Sequence, residues 1–252
     1  VHLDHASGAG QLMQACPNAR LVVHPKGLPH MVDPSRLQAG AIAVYGEEAF
    51  QRDFGDLQPI DESRCIAAAD GQEFELGGHP LKFIHTPGHA NHHGCIFDSA
   101  STYLFTGDTF GLGYQEFATQ SPYIIATTSP VAFDPDAWFH SIEHMLALQP
   151  GAVCLTHFSK HDHPAALAPM LRDSIQAHVE IALAEERLDS EGRSQRLRTA
   201  LDELLVGGAV RHCGVGEARA RALLAGDIEL NAQGLEVWLA RRAKQRAADT
   251  TG

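Results

Sequence analysis

Short apolar runs bounded by turn residues predict strands at Leu21-Val22-Val23, Arg64 to Ala67, Gln72 to Leu76, Leu81 to Ile84, Gly94 to Phe97 and Thr102 to Phe105. Asp70-Gly71, Gly77-Gly78 and the polar stretch Asp98 to Ser101 are turns between them, so the five strands from Arg64 onward predict a mostly antiparallel sheet. Helical spacing marks Ala6 to Ala15, a start at Pro34 behind Asp33, and Glu47 to Phe54. Asp134-Pro135 opens a helix with Trp138, Ile142, Met145 and Leu146 on one face. Gln149-Pro150-Gly151 ends it, and a strand then runs into Thr156-His157. Leu167, Leu171, Ile175, Val179 and Leu183 recur at helical spacing behind Pro164, which makes His161-Asp162-His163 the polar start of that helix. From Asp189 the composition shifts. Gly207-Gly208, Gly214 and Gly226 divide the tail into helices over Ser194 to Val206, Gly216 to Leu224 and Asn231 to Ala247. The expected organisation is a main domain over 1–188 and a small helical appendage over 189–252, with its arginines on solvated faces.

At 252 residues the chain is long enough for one good core and short for two large domains. A formal charge of −12 argues against broad binding to nucleic acid or anionic membrane. No apolar run reaches the length of a membrane span. Cys16, Cys65, Cys95, Cys154 and Cys213 are odd in number, widely spaced and without a C-x-x-C pair, which predicts buried thiols in a reducing cytoplasm and no disulfide framework. Sixteen histidines against 19 Lys plus Arg is heavy usage and turns attention to metal chemistry.

Two imidazoles and a carboxylate stand within Val1-His2-Leu3-Asp4-His5, and in a turn they can serve neighbouring cations. Such a run alone proves little, because short His/Asp clusters arise by chance. Strand-like runs elsewhere end in the same residue types: Phe83-Ile84-His85-Thr86-Pro87-Gly88-His89, Tyr103-Leu104-Phe105-Thr106-Gly107-Asp108 and Ala152-Val153-Cys154-Leu155-Thr156-His157. Pro87-Gly88 makes a sharp reversal that can aim His89 inward. His24 and His30 have no carboxylate or cysteine at ligand spacing and are expected at the surface or behind the site; His85 is expected to be a strand residue. Gly111 and Gly113 lack both the spacing and the lysine of a phosphate loop. The irregular stretch from Tyr114 to Pro130, with Tyr123, Thr127, Thr128 and Ser129, is a candidate pocket wall.

These blocks, taken in order, resemble the metallo-β-lactamase-fold superfamily, whose signature reads H-x-H-x-D-H, T-P-G-H, G-D and H. His24-Pro25-Lys26-Gly27, His89-Ala90-Asn91-His92-His93, Ala126-Thr127-Thr128-Ser129-Pro130 and Thr156-His157-Phe158 look closest to its glyoxalase II-like branch. The resemblance implies an α/β (α+β) fold, a four-layer αββα sandwich, and two divalent metal ions, with zinc expected and iron or manganese also suited. One metal falls to His2 and His89 together with a histidine two positions before His2. The other falls to Asp4, His5 and His157, with Asp108 bridging and Asp4 and Asp108 as catalytic carboxylates. His93 is expected to support a ligand, and His92 to lie at the pocket rim. The family's first histidine and its upstream strands are not in this chain, so an N-terminally incomplete domain is expected, binding metal weakly and exposing a sheet edge. A metal-bridging hydroxide acting on a small acyl substrate (thioester, lactone or related ester) is the implied chemistry, since no G-x-S-x-G elbow is present. Iron-dependent persulfide oxidation and a catalytically impaired fragment remain open alternatives. A small-molecule substrate and a cytoplasmic location complete the expectation, with a homodimer left open.

Overall fold

Two clusters of buried apolar side chains organise the chain. In the computed structural model, which describes residues 1–118, 122–128 and 132–251, the smaller cluster gathers Met13, Val23, Met31 and Ile60. It is built by α1 (Leu3–Ala6), α2 (Ala9–Ala15), β1 (Leu21–Val23) and α3 (Leu28–Val32). The single helix expected over Ala6 to Ala15 is thus two, parted at Ser7 and Gly8. Next come α4 (Ser35–Tyr45) and α5 (Glu47–Asp53), joined at Gly46 with φ +82°. The expected strand at Arg64 to Ala67 is β2 (Cys65–Ala67), but it pairs in parallel with β1 in a two-stranded sheet instead of starting the antiparallel one. Residues 68–71 carry the chain from one sheet to the other: Ala68 N–H still donates to Val23 O, and Gly71 N–H already donates to Phe83 O. A turn signal marks a reversal and does not say which strand lies alongside.

The second sheet runs β3 (Glu73–Leu76), β4 (His79–His85), β5 (Gly94–Asp98), β6 (Tyr103–Gly107), β7 (Ala152–Leu155) and β8 (Ser159–Asp162), in that spatial order. The first four are antiparallel, as expected; β7 lies parallel to β6 after a crossover through α6 (Pro135–Ala147). Asp134 caps α6 by accepting from Ala137 N–H, with Pro135 in its first turn. His161-Asp162 lies in β8 and not at a helix start. The β7–β8 hairpin turns through Phe158 and Ser159 at φ 76° and 92°, so no glycine or proline announces it, and α7 (Pro164–Glu186) begins only after His163.

The tail forms two helices and not three, α8 (Arg193–Cys213) and α9 (Glu217–Thr251). Gly207, Gly208 and Gly226 lie inside them, and Gly214 at φ +68° is the one that ends a helix. Close packing explains two of the internal glycines: a Cβ on Gly208 would sit 2.0 Å from Tyr123 Oη, and one on Gly234 2.6 Å from Thr128 O. The larger apolar cluster passes without a break from Ile84, Cys95 and Leu104 in the sheet through Trp138 and Ile142 to Leu201, Leu205, Leu235 and Trp238. The tail therefore shares the sheet's core. Its arginines are not merely solvated, since Arg196 pairs with Glu185, Arg221 with Asp202 and Arg242 with Glu186. The five cysteines are free, and Cys16 is exposed, against the expectation of buried thiols. Among the described residues no helix is long and apolar enough to cross a membrane.

The shared core makes a signed prediction. Gly234→Ala on a loosely appended helix would stabilise by about 1 kcal/mol through helix propensity. Here the new Cβ meets the Thr128 backbone, so the substitution lowers unfolding free energy by about 1–3 kcal/mol in denaturant titration. A gain in stability contradicts the packing.

Candidate metal centre

Asp108 stands immediately after β6, where the β6–β7 register slips between Phe105 and Gly107. Gly107 takes φ +51°, and a Cβ there would lie 2.5 Å from His93 Nε2, so the bulge needs glycine. That nitrogen accepts Asp108 N–H at 3.1 Å, which puts the His93 proton on Nδ1, donating to Thr86 Oγ1 at 2.8 Å. Both ring nitrogens are engaged, so His93 holds Asp108 in place, the supporting role expected of it. Burial, with His89 adding to it, pushes the His93 imidazole well below its usual pKa and keeps it neutral.

His89 ends a turn that α6 clamps. Gly88, at φ +137°, has its Cβ position 2.4 Å from Trp138 Cα, and its carbonyl accepts Asp134 N–H at 2.8 Å. Trp138 Nε1 donates to Thr109 O at 2.6 Å, tying the same helix to the residue after Asp108. The His89 Nδ1–H donates to Thr127 O at 2.7 Å. Its Nε2 is left facing inward, 3.2 Å from Asp108 Oδ2 and 3.3 Å from His2 Nδ1.

The single turn of α1 closes on His2 O, which accepts from His5 N–H and Ala6 N–H at 3.1 and 2.9 Å. His5 Nε2 lies 3.0 Å from Asp108 Oδ2 and 3.3 Å from Asp4 Oδ2. His157, past the end of β7, brings Nε2 to 3.2 Å from Asp4 Oδ2 and 3.4 Å from Asp108 Oδ1. All six candidates thus converge in two groups, His2 with His89 and Asp108, and Asp4 with His5 and His157; in each, the donor atoms lie within 4.8 Å of one another.

Burial works against charge on Asp108 and Asp4. The imidazoles of His5 and His89 beside the first, and of His157 and His5 beside the second, overcome it and hold both carboxyls far below the usual range. Burial likewise opposes the His5 proton, yet Asp108 and Asp4 raise that imidazole to about 9; a hydrogen bond with Asp4 raises His157. Burial and the neighbouring His89 push His2 down to about 3. The carboxylates thus favour protons on both His5 and His157. Asp108 Oδ1 remains buried without a hydrogen-bond donor. An anionic oxygen so placed calls for a cation, and a set of imidazole nitrogens and carboxylate oxygens without thiolate suits a divalent one.

His24, His30, His85, His92 and His93 belong to neither group. His24 Nδ1 accepts Lys26 N–H and its ring packs on His85, whose Nε2 bonds Ala68 O. His92 stands edge-on to His2, and burial lowers it to about 4. The expected pocket wall divides. Tyr114 stacks on Phe158 beside His157, whereas Tyr123 and Thr128 are not open walls; they dock on α8 and α9. Ser129 and Pro130 lie outside the described residues. The Thr127 carbonyl is the contact that sequence reasoning misses, because any residue type supplies a carbonyl.

Residues 1–157 match the family model described as the Metallo-beta-lactamase superfamily. The chain is 28% identical over 161 residues to "Metallo-beta-lactamase fold-containing protein ST1585" of Sulfurisphaera tokodaii, covering 62% of this chain and 57% of the relative. The chain thus spans little more than half the length of that curated relative. The crystal structure of the archaeal superfamily protein ST1585 from Sulfolobus tokodaii superposes with a TM-score of 0.56 at 23% identity, over 90% of this chain and 73% of that one. TTHA1429, a metallo-beta-lactamase family protein from Thermus thermophilus, also superposes at 0.56, with 16% identity over 94% and 70%. At these identities the two structures show a shared fold.

The charge balance predicts a pH dependence in protein stripped of metal by chelation. His5 is raised from 6.5 to about 9 and His157 is raised with it. Their contribution to stability is complete below the unfolded pKa and is lost as pH rises through the folded value. The thermal midpoint therefore falls between about pH 6.5 and 9, and His5→Gln flattens that slope. A wild-type midpoint that is flat or rising across the window contradicts the assignment.

Proposed function

The chain belongs to the metallo-beta-lactamase superfamily, and we propose that within it the protein is a hydrolase using two divalent cations on a small acyl substrate: a thioester, a lactone or a related ester. Family membership supports metal-dependent, hydrolase-like chemistry in general, and the fold family binds divalent metals. The observation that carries the finer proposal is Asp108, with Oδ2 3.0 Å from His5 and 3.2 Å from His89 and its unbonded Oδ1 3.4 Å from His157. One carboxylate so shared suits two neighbouring cations. His2 and His89 would hold one, Asp4, His5 and His157 the other, with Asp108 between them. Zinc matches the imidazole-rich set, and iron or manganese are the next candidates.

A divalent cation held there would polarise a substrate carbonyl and lower the pKa of water towards about 7, so attack would need no Ser, Cys or Lys nucleophile. Asp4, with a side chain 52% exposed, is the carboxylate that solvent and substrate reach, and it is placed to orient the attacking water and receive its proton. Without a cation, His5 and His157 bond to Asp4 and hold it ionised, and a bound divalent cation would take over that role. His93 and Thr86 hold the Asp108 backbone so that its carboxylate does not swing away.

The scarcity of free cationic side chains near the ligands in sequence supports the proposed substrate class. Between Asp108 and His157 the sequence has no Lys or Arg. Of the tail arginines that could serve instead, Arg193 and Arg196 bond to Glu185 and its neighbours, and Arg198 to Glu229. Glutathione bears two carboxylates and is recognised by fixed cations. The substrate is therefore proposed to be neutral or weakly charged, and not a glutathione thioester.

Elemental analysis of the full-length protein is expected to find about two metals per chain. Asp108→Ala loses both together, and His157→Ala chiefly weakens one; a wild-type value near zero overturns the proposal. A panel of thioesters, lactones and phosphodiesters on metal-loaded enzyme is expected to favour neutral esters or lactones. Hydroxyacylglutathione turning over far better than all of them refutes the specificity, and metal-dependent sulfur oxidation without hydrolysis refutes the reaction class.

A further inference from the structure

One peptide unit touches both the candidate metal centre and the C-terminal helix. Its carbonyl, Thr127 O, accepts the His89 Nδ1–H at 2.7 Å. Its amide, Thr128 N–H, donates to Asn231 Oδ1 at 2.6 Å. The peptide bond is planar and trans, so the carbonyl and the N–H point in opposite directions from one rigid plate. Fixing the N–H on the α9 side therefore fixes the direction in which the carbonyl meets His89. The two bonds also polarise each other through the amide.

The surroundings commit Asn231 to this contact. It is 1% exposed and Thr128 is 2% exposed, so neither group can turn to water instead. The Thr128 hydroxyl lies 3.0 Å from Asn231 O and 2.9 Å from Oδ1, adding a second tie to the same residue. Gly234, three residues on in α9, has no side chain where the Thr128 carbonyl comes in. Thr127 Oγ1 lies 3.2 Å from His89 Nδ1, a longer contact than the carbonyl's 2.7 Å. The carbonyl sets the tautomer that leaves His89 Nε2 facing His2 and Asp108.

We propose that Asn231 is a positioning residue for the metal centre, acting from α9 through the 127–128 peptide to orient the His89 imidazole. The metal part of this rests on the ligand assignment proposed above; the orientation of His89 does not. Asn231 touches no reacting group. Its role is to keep His89 Nε2 aimed into the centre, so that cation binding does not first have to order the ring.

The test is NMR on the full-length chain, following the exchange-protected His89 Nδ1–H resonance before and during titration with zinc alone. Asn231→Leu is expected to lose the protected resonance before any zinc is added and to weaken zinc binding about 10- to 100-fold. Asn231→Asp, which keeps the acceptor oxygen, restores the resonance and most of the affinity. Thr128→Val, which removes the hydroxyl tie and leaves the peptide N–H, keeps the resonance. An unchanged His89 signal in Asn231→Leu overturns the proposal. So does a loss in Thr128→Val equal to that in Asn231→Leu, which marks general loosening of the helix. If wild-type protein binds no zinc, the ligand assignment fails while the resonance still judges Asn231.

Discussion

Asp108 carries negative charge in a largely buried place, and its Oδ1, out of reach of water, meets no hydrogen-bond donor. Among the described residues no other carboxylate oxygen is buried in that way, and the desolvation involved is costly. The surrounding structure holds the group in place all the same. Its backbone is bonded to His93, its strand is bulged at Gly107, and the loop behind it is tied through Thr109 to Trp138 of α6. Four imidazoles and a second carboxylate surround it. The edge of the sheet thus keeps an anion between two sets of nitrogen donors.

The rest of the architecture serves that edge from both sides. The sheet delivers His89, Asp108 and His157 from the ends of β4, β6 and β7, whose mutual spacing is set by backbone hydrogen bonds. Helix α6 closes the turn before His89, using the missing side chain of Gly88 to bring Trp138 against the backbone. Helices α8 and α9 approach equally closely through Gly208 and Gly234, which is why a tail that reads as an appendage is continuous with the core. Stability and site geometry are therefore not separable here. The same glycines that admit the helices set the position of residues 123–128.

Much of the centre was legible because its ligands end apolar runs. A strand that stops at His89, Asp108 or His157 must present that residue at an edge, and His2, Asp4 and His5 are too close in sequence to scatter. The β3–β4 and β5–β6 hairpins were legible for a similar reason, since Gly77-Gly78 and the 98–101 turn leave little choice of partner. What could not be read depends on tertiary contact. Phe158 and Ser159 turn a hairpin in a conformation that their side chains do not advertise, hiding β8. Gly207-Gly208 and Gly226 look like breaks in a sequence and lie within helices in the fold. The parallel pairing of β1 with β2 joins residues far apart in the chain, and the Thr127 carbonyl has no residue-type signature at all.

Anomalous diffraction at the metal absorption edge, from crystals of full-length protein grown with zinc, tests the central claim most directly. Two peaks are predicted, roughly 3.5–4 Å apart, both within bonding distance of the Asp108 carboxylate, one beside His2 and His89 and one beside Asp4, His5 and His157. No peak, or a single peak that leaves Asp108 without a metal, contradicts the account.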